Sequence, residues 1–291
     1  MSNFPGWAKL NLGLKVGGKR PDGYHSIISV MQTVSLADQV KLELKKDGIS
    51  LEVTGAKLPT DDQNLAVQAA RLIQSRFQVS EGVHIRLIKN IPLAAGLAGG
   101  SADAAAVLYG VNELWNLGLG IKDLTQLAAE IGSDVPFALC GGTGLAQGRG
   151  EIVSPLPSLP DCYLVLACPP VAVSTPWAYN ELDRSSVKPQ LVNIDKLIAA
   201  LKEKDLDEIA AAMANSFEPV VVAHFPIIRD IKQALLDSGA IAALMSGSGP
   251  TVYGIFTSLN KAKHAVSTLN TDIITHVAKP VPVGAGRLPK E

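Results

Sequence analysis

Three separated stretches of this chain carry residue types that could do chemistry. The first is Gly96-Leu97-Ala98-Gly99-Gly100-Ser101, a run of small residues leading into an alanine-rich segment with helical spacing. Small residues let backbone N–H groups approach an anion closely, and a helix start adds partial positive charge, so the run suits a polyphosphate. It is not a Walker A loop, because no Gly-Lys-Ser/Thr follows. Its glycine spacing, with Pro92 in the approach, is also wrong for a dinucleotide fingerprint. A tight strand-to-helix turn is the plainer alternative. The second stretch is Lys9 with Asn11, neighbours on the polar face of a strand, where a lysine is ordinarily solvated. The third is Asp134, between Gly132 and Val135-Pro136-Phe137, where an aspartate ordinarily caps a helix. If Asp134 instead faces a phosphate site, it can accept a proton from a substrate hydroxyl. Lys9 would then hold it ionised and stabilise the transferring phosphate.

Other candidates carry less. His84, His224, His264 and His276 form no metal-ligand spacing and read as structural. Ser246-Gly247-Ser248-Gly249 resembles half of a nucleophile elbow, but Pro-Thr and a strand follow it where a helix should. Cys140, Cys162 and Cys168 fit no CxxC pattern and read as buried thiols in a reducing compartment.

The elements that must position these groups follow from periodicity. Ala8 to Val16 alternates, which predicts a strand with Leu10, Leu12, Leu14 and Val16 on a buried face and Lys9, Asn11 and Lys15 on the other. GGKRPDGYH reads as a turn-rich loop. Val40, Leu42 and Leu44, then ISLEV, then VHIRLIKNI read as further strands, and their closeness in sequence predicts antiparallel pairing. NLAVQAARLIQSRF and IKDLTQLAAEIG read as helices, the second with Gly132 as its C-cap. Pro155, Pro157 and Pro160 mark the best domain boundary. Beyond them lie strand YLVLA, helices near residues 194–204, 206–214 and 226–238, a small-residue loop feeding strand TVYGIF, helix SLNKAKHAVSTL and strand ITHVAKPV.

With 291 residues, 47% hydrophobic and 18% charged, the chain is long enough for about two domains and too apolar for intrinsic disorder. A net charge of −1 and 5% aromatics give no sign of a nucleic-acid partner. No apolar run reaches the length of a membrane span, and no signal peptide is seen, so a cytoplasmic location is expected.

In chain order, Ala8-Lys9-Leu10-Asn11-Leu12, PLAAGLAGGSADAA and MSGSGPTVYGIF resemble the three motifs of the GHMP kinase superfamily, and the likeness covers nearly the full length. AKLNLGLKVGGKRPDGYHSI and GSDVPFAL are similar to segments of those members that act on a cytidine-diphosphate-linked methylerythritol. The resemblance implies an α+β, two-domain α/β fold: a ribosomal-protein-like N-terminal half over residues 1–157, a ferredoxin-like C-terminal half over 158–291, and a cleft between them. It implies transfer of the γ-phosphate of ATP to the substrate's 2-hydroxyl, a step of the non-mevalonate route to isoprenoid precursors. Mg²⁺ would come as the nucleotide's counter-ion, without dedicated protein ligands. Asp134 would be the catalytic base and Lys9 its partner. Pro92, Leu93, Ala94, Ala95, Gly96, Leu97, Ala98, Gly99, Gly100, Ser101 and Ala102 would wrap the ATP phosphates, with Asn64 and Lys89 near the adenosine. Tyr24 and His25 would recognise the cytosine, Tyr179 would sandwich it, and Asn11 and Thr175 would complete the substrate side. Gly247, Ser248 and Gly249 would form a supporting loop near the domain junction.

The family also contains kinases of homoserine and mevalonate, whose substrates offer no ring to stack on. A non-catalytic nucleotide-binding relative should have lost Lys9 or Asp134, and both are present. The small-molecule substrate is the expected partner, with no nucleic acid or membrane, and a homodimer is the assembly to test. Two departures stand out. Ala102 replaces a second hydroxyl after Ser101, and Ala94, Ala95 and Ala98 replace glycines, which restricts positive φ in the loop.

Overall fold

A computed structural model describes residues 2–187 and 189–287. Among them, seven strands form one sheet: β1 (Ser2–Lys19), β2 (His25–Lys45), β3 (Ile49–Thr54), β4 (Gly82–Ile88), β5 (Thr143–Gly148), β6 (Ile152–Pro155) and β8 (Ala214–Asn215). Their order is β3-β4-β2-β1-β8. β2 is long enough to pair β4 with its second half and β5, which carries β6, with its first. The second sheet holds β7 (Tyr163–Cys168), β9 (Ala242–Met245), β10 (Val252–Phe256) and β11 (Ile274–Ala278), in the order β11-β7-β10-β9. The fold is α+β with two sheets.

Antiparallel pairing holds for β1–β2 and β2–β4, but β3 lies parallel to β4. The reason is α1 (Leu65–Arg76), which carries the chain back between them, as a parallel neighbour requires. β5 runs through the glycine-rich stretch from Gly141 to Gly150, and β6 follows directly after it.

Three large apolar cores organise these layers, beside a small fourth cluster of Met31, Phe137 and Ala146. One lies between the first sheet and α1, α2 (Gly99–Leu114) and α3 (Ile121–Ile131). A second joins the two sheets, with Leu10, Leu12 and Val34 packed among Leu164, Leu166 and Tyr253. A third packs Val165, Ala167 and Phe256 with residues of α6 (Glu218–His224), α7 (Ile227–Asp237) and α8 (Leu259–Thr268). β7 is therefore buried on both faces, which explains its unbroken apolar sequence. The chain also crosses back: β8 pairs with β1, and the segment near residues 279–286 bonds to β1, β2 and α4 (Val135–Cys140).

The strand reading of β1 needs one correction. Its register shifts between Asn11 and Gly13. Beyond that bulge the faces exchange, because side-chain direction alternates with every residue. Leu10 and Leu12 enter the core between the sheets, whereas Leu14 enters the third core and lines the same cavity as Lys9 and Asn11. Neither face of this strand is solvated at Lys9 or Asn11, both of which are buried.

Helix α2 is sunk deep in the first half. Residues 102–108 are all buried, so a sequence of alanines with Val107 and Leu108 serves it better than a striped one. A Cβ at Gly110 would come within 2.8 Å of Phe4 and closer still to Leu42, and one at Gly6 would come within 3.0 Å of the Ala102 backbone. Close packing on β1 and β2 thus fixes where the start of α2 points.

Candidate active site

A cavity of about 490 Å³ is lined from both halves. β1 supplies Lys9, Asn11 and Leu14, and β2 supplies Ile27 and Met31. Residues 91–101 form one wall, and Ser133, Asp134 and Arg149 add to it. Thr175, Tyr179, Phe217, Gly247 and Ser248 come from the second half.

The start of α2 is open to this cavity. Its N-cap, Ala98, is left-handed at φ +57 and makes no side-chain cap hydrogen bond. First-turn amides without an internal partner need an external acceptor, and the helix dipole favours an anion there. Ala94 also takes positive φ, at +51, so both alanines adopt the backbone that glycine would hold without strain, whereas Ala95 does not. The loop is held from outside. Its Leu97 carbonyl accepts from Lys9 N at 3.1 Å, and its Gly96 carbonyl accepts from Ser246 Oγ at 3.2 Å. Gly96 itself sits so close to the Ser246 and Gly249 carbonyls that a Cβ would lie 2.5 and 2.8 Å from them. Two small-residue loops nest there, and this is the physical meaning of the Ser246 to Gly249 motif.

Lys9 donates to Asn11 Oδ1 at 2.8 Å, Asn11 Nδ2 donates to Ser29 Oγ at 2.8 Å, and Ser29 donates to the Gly13 carbonyl at 2.8 Å. That carbonyl belongs to the bulge. Asn11 and Ser29 therefore fix the ammonium of Lys9 to the strand irregularity beside it. Asp134 does stand at the N-cap position of α4, but its side chain makes no capping bond. Its Oδ2 lies 3.7 Å from Lys9 Nζ, and the carboxylate is 31% exposed. An ion pair at this distance, open to the cavity, leaves both groups available to a ligand.

Lys89 is held otherwise. Its ammonium donates to Asp38 Oδ2 and, at 2.6 Å, to Asp103 Oδ2, and all three residues are buried. Asp38 Oδ1 accepts from Asn90 N and Ile91 N at 2.6 and 2.8 Å, which ties the cluster to the beginning of the 92–101 loop. Burial pushes the Asp103 carboxyl well above the ordinary carboxylate range, against the pull of Lys89, and Asp38 adds to the rise.

The aromatic side is built on one face of α5 (Thr175–Arg184). Thr175, Tyr179 and Asp183 follow at four-residue spacing. Thr175 Oγ1 shares a 2.9 Å hydrogen bond with Ser248 Oγ. Tyr179 stacks on His25, with centroids 4.8 Å apart and planes at 16°, and meets Phe217 edge-on. Asp183 Oδ1 is 2.9 Å from His25 Nε2. Burial, then the Asp134 charge, pushes the Tyr179 hydroxyl up to about 12, so it stays a protonated donor at neutral pH. Tyr24 stands at the rim, 55% exposed.

Several expected site residues do not line the cavity. Asn64 caps α1, accepting from Ala66 N and donating to the Pro59 carbonyl. Ala102 is fully buried in the core between the sheets and is not among the residues that line the cavity. His25 and Gly249 lie behind Tyr179 and Gly247.

Four contributors escape sequence reasoning: Ser29, Asp183, Arg149 and Asn215. Asn215 donates to the Met245 and Gly247 carbonyls, both at 2.8 Å, and so holds the second small-residue loop. Only Asp183 leaves a signal, its spacing from Thr175 and Tyr179.

Comparisons with known proteins bear on the family and the fold. The GHMP kinases N-terminal domain model matches residues 64–142, and the GHMP kinases C-terminal model matches residues 197–273. A 4-diphosphocytidyl-2-C-methyl-D-erythritol kinase of Listeria innocua is 47% identical over 90% of this chain and 90% of its own. One of Shouchella clausii is 49% identical over 85% and 83%. A crystal structure of a 4-(cytidine 5'-diphospho)-2C-methyl-D-erythritol kinase superposes with a TM-score of 0.81 at 32% identity, covering 96% of this chain and 98% of that one. A homoserine kinase from Cytophaga hutchinsonii follows at 0.78 and 25%, covering 97% and 95%. Motif order, fold and both domain models thus converge, and the chain belongs to the GHMP kinase family.

Proposed function

We propose that this chain transfers the γ-phosphate of ATP to the 2-hydroxyl of 4-diphosphocytidyl-2-C-methyl-D-erythritol, a step of the non-mevalonate route to isoprenoid precursors. The observation that carries this reading is a single cavity joining three things. These are an uncapped helix start, the open Lys9–Asp134 pair, and a rim with Tyr24 and Tyr179. The first suits polyphosphate, the second suits a hydroxyl that must lose a proton, and the third suits a flat polar ring. The relatives carrying this activity in their names support it.

In this reading the loop from Pro92 to Ser101 cradles the nucleotide phosphates with its amides. Lys9 neutralises charge on the transferring group, and Asp134 orients the acceptor hydroxyl and takes its proton. Asn11 acts through Lys9 by fixing its ammonium. No cluster of three His, Cys, Asp or Glu side chains suited to a metal exists among the described residues. Mg²⁺ would come with ATP as its counter-ion and supply neutralisation of phosphate charge, and Asp134 and Ser101 are the cavity side chains whose oxygens would hold it. The cytoplasm is the proposed compartment: no described helix is long and apolar enough to cross a membrane, and the three cysteines are unpaired.

The test is phosphate transfer from ATP with Mg²⁺ to the cytidylyl substrate beside homoserine, mevalonate and galactose. Turnover of the cytidylyl compound alone is expected. Turnover of another acceptor would discard the aromatic pocket and keep the Lys9 and Asp134 chemistry. Nucleotide binding without any turnover would discard both.

A further inference from the structure

We propose that Arg149 is the cationic contact for the diphosphate bridge of the cytidylyl substrate. This deepens the assignment above and rests on it. Among the described residues, three cationic side chains line the cavity: Lys9, Lys89 and Arg149. Lys89 is committed to two buried carboxylates, and Lys9 stands beside Asp134 where phosphate transfers. A substrate with its own diphosphate brings further negative charge into the same space, and Arg149 is the remaining cation to meet it.

The local structure suits that role. Arg149 sits at the tip of the β5–β6 hairpin between Gly148 and Gly150, whose φ values of +74 and +117 make the turn. The tip's backbone is pinned: Gly150 N donates to the Gln147 carbonyl at 3.0 Å, and Arg149 N donates to Glu151 Oε2 at 2.6 Å. The side chain is left with capacity. Arg149 Nε lies 3.8 Å from Glu151 Oε1, beyond hydrogen-bond length, and no described residue accepts a hydrogen bond from the guanidinium. Its Cζ stands 5.1 Å from the centroid of the Tyr24 ring. Base platform and cation are thus adjacent at the rim. A nucleoside diphosphate presents a ring and, one sugar away, phosphate oxygens that a guanidinium fork can bind in pairs.

The experiment is calorimetric titration of cytidine and of cytidine 5'-diphosphate into the enzyme loaded with ADP and Mg²⁺. It is run on wild type, Arg149→Gln and Arg149→Lys. Wild type is expected to bind the diphosphate more tightly than the nucleoside. Arg149→Gln should bind cytidine within about twofold of wild type and the diphosphate about tenfold more weakly, with Arg149→Lys between. Equal weakening of both ligands in Arg149→Gln would mean that Arg149 serves only to hold Tyr24, and would overturn this inference while the substrate assignment stands. Failure of wild type to bind either ligand would overturn the substrate assignment, and this inference with it.

Discussion

Two lysines line one cavity and are held in opposite ways. Lys89 is enclosed by Asp38 and Asp103, both buried, and its ammonium is spent on them. Lys9 has an amide oxygen at 2.8 Å and a carboxylate no closer than 3.7 Å, and that carboxylate is open to the cavity. The difference separates two uses of a buried cation. An ammonium with more carboxylate than it can neutralise fixes structure, here the joint between β4 and the 92–101 loop. An ammonium held by a neutral amide keeps its charge for a ligand. Nearness to aspartate alone does not mark a lysine as catalytic; what the aspartate is otherwise doing decides it.

The largest expected effect tests the enclosed cluster. Lys89→Met leaves Asp38 and Asp103 buried without a cation and should cost about 3–5 kcal/mol of stability, read from urea midpoints. Lys9→Met should cost far less, because water can reach Asp134. Equal losses would erase the distinction. Next, Asp134→Asn should lower kcat by about 100-fold or more with little change in unfolding. Near wild-type turnover would remove Asp134 from proton transfer. Third, Tyr24→Ala should raise KM for the cytidylyl substrate about tenfold and leave that for ATP unchanged, since stacking serves one substrate only. A parallel rise in both would place Tyr24 outside base recognition.

A pH series sharpens the contrast further. The folded-state pKa of Asp103 lies above its unfolded value, so protonated Asp103 favours the fold. Its contribution is complete below the ordinary carboxylate range and is lost as pH rises through the raised value. Asp103→Asn should flatten that decline, and an unchanged slope would show that the proton resides elsewhere in the cluster. The smallest effect concerns the loop. Ala98→Gly, at φ +57, should stabilise the protein by about 0.5–1 kcal/mol, because alanine strains in that conformation. A loss instead would mean that the methyl group's packing outweighs the strain.

Much of this architecture was legible in the residues. The glycine-rich loop, Lys9 and Asp134, singled out by residue type, line one cavity, and the apolar run of β7 reflects a strand covered on both faces. The bulge after Asn11 was not legible. Alternation continues through it in sequence, and only the pairing partner reveals that one residue is extra. The role of Asp134 was ambiguous for a related reason. The backbone does place it at a helix start, and the choice between capping and facing Lys9 is made by side-chain direction. Asn64 shows the converse: its amide caps α1 with both ends engaged. Ser29 and Asn215 left no local signal, because each bonds to backbone freed by irregularities far away in sequence.

The pairing of β1 also bears on synthesis. Lys9 lies on β1, yet the hydroxyl that accepts from Val16 N is 200 residues downstream, and the tyrosine that bonds the Asn11 carbonyl is 242 residues away. Gly286 closes the circuit on Pro5. A nascent chain therefore carries its reactive side chains for most of translation without the walls that enclose them. Competence should arrive in one late step, when the second small-residue loop docks against the first, rather than growing domain by domain. Until then, the open edge of β1 and the apolar face destined for the second sheet are surfaces a chaperone would recognise.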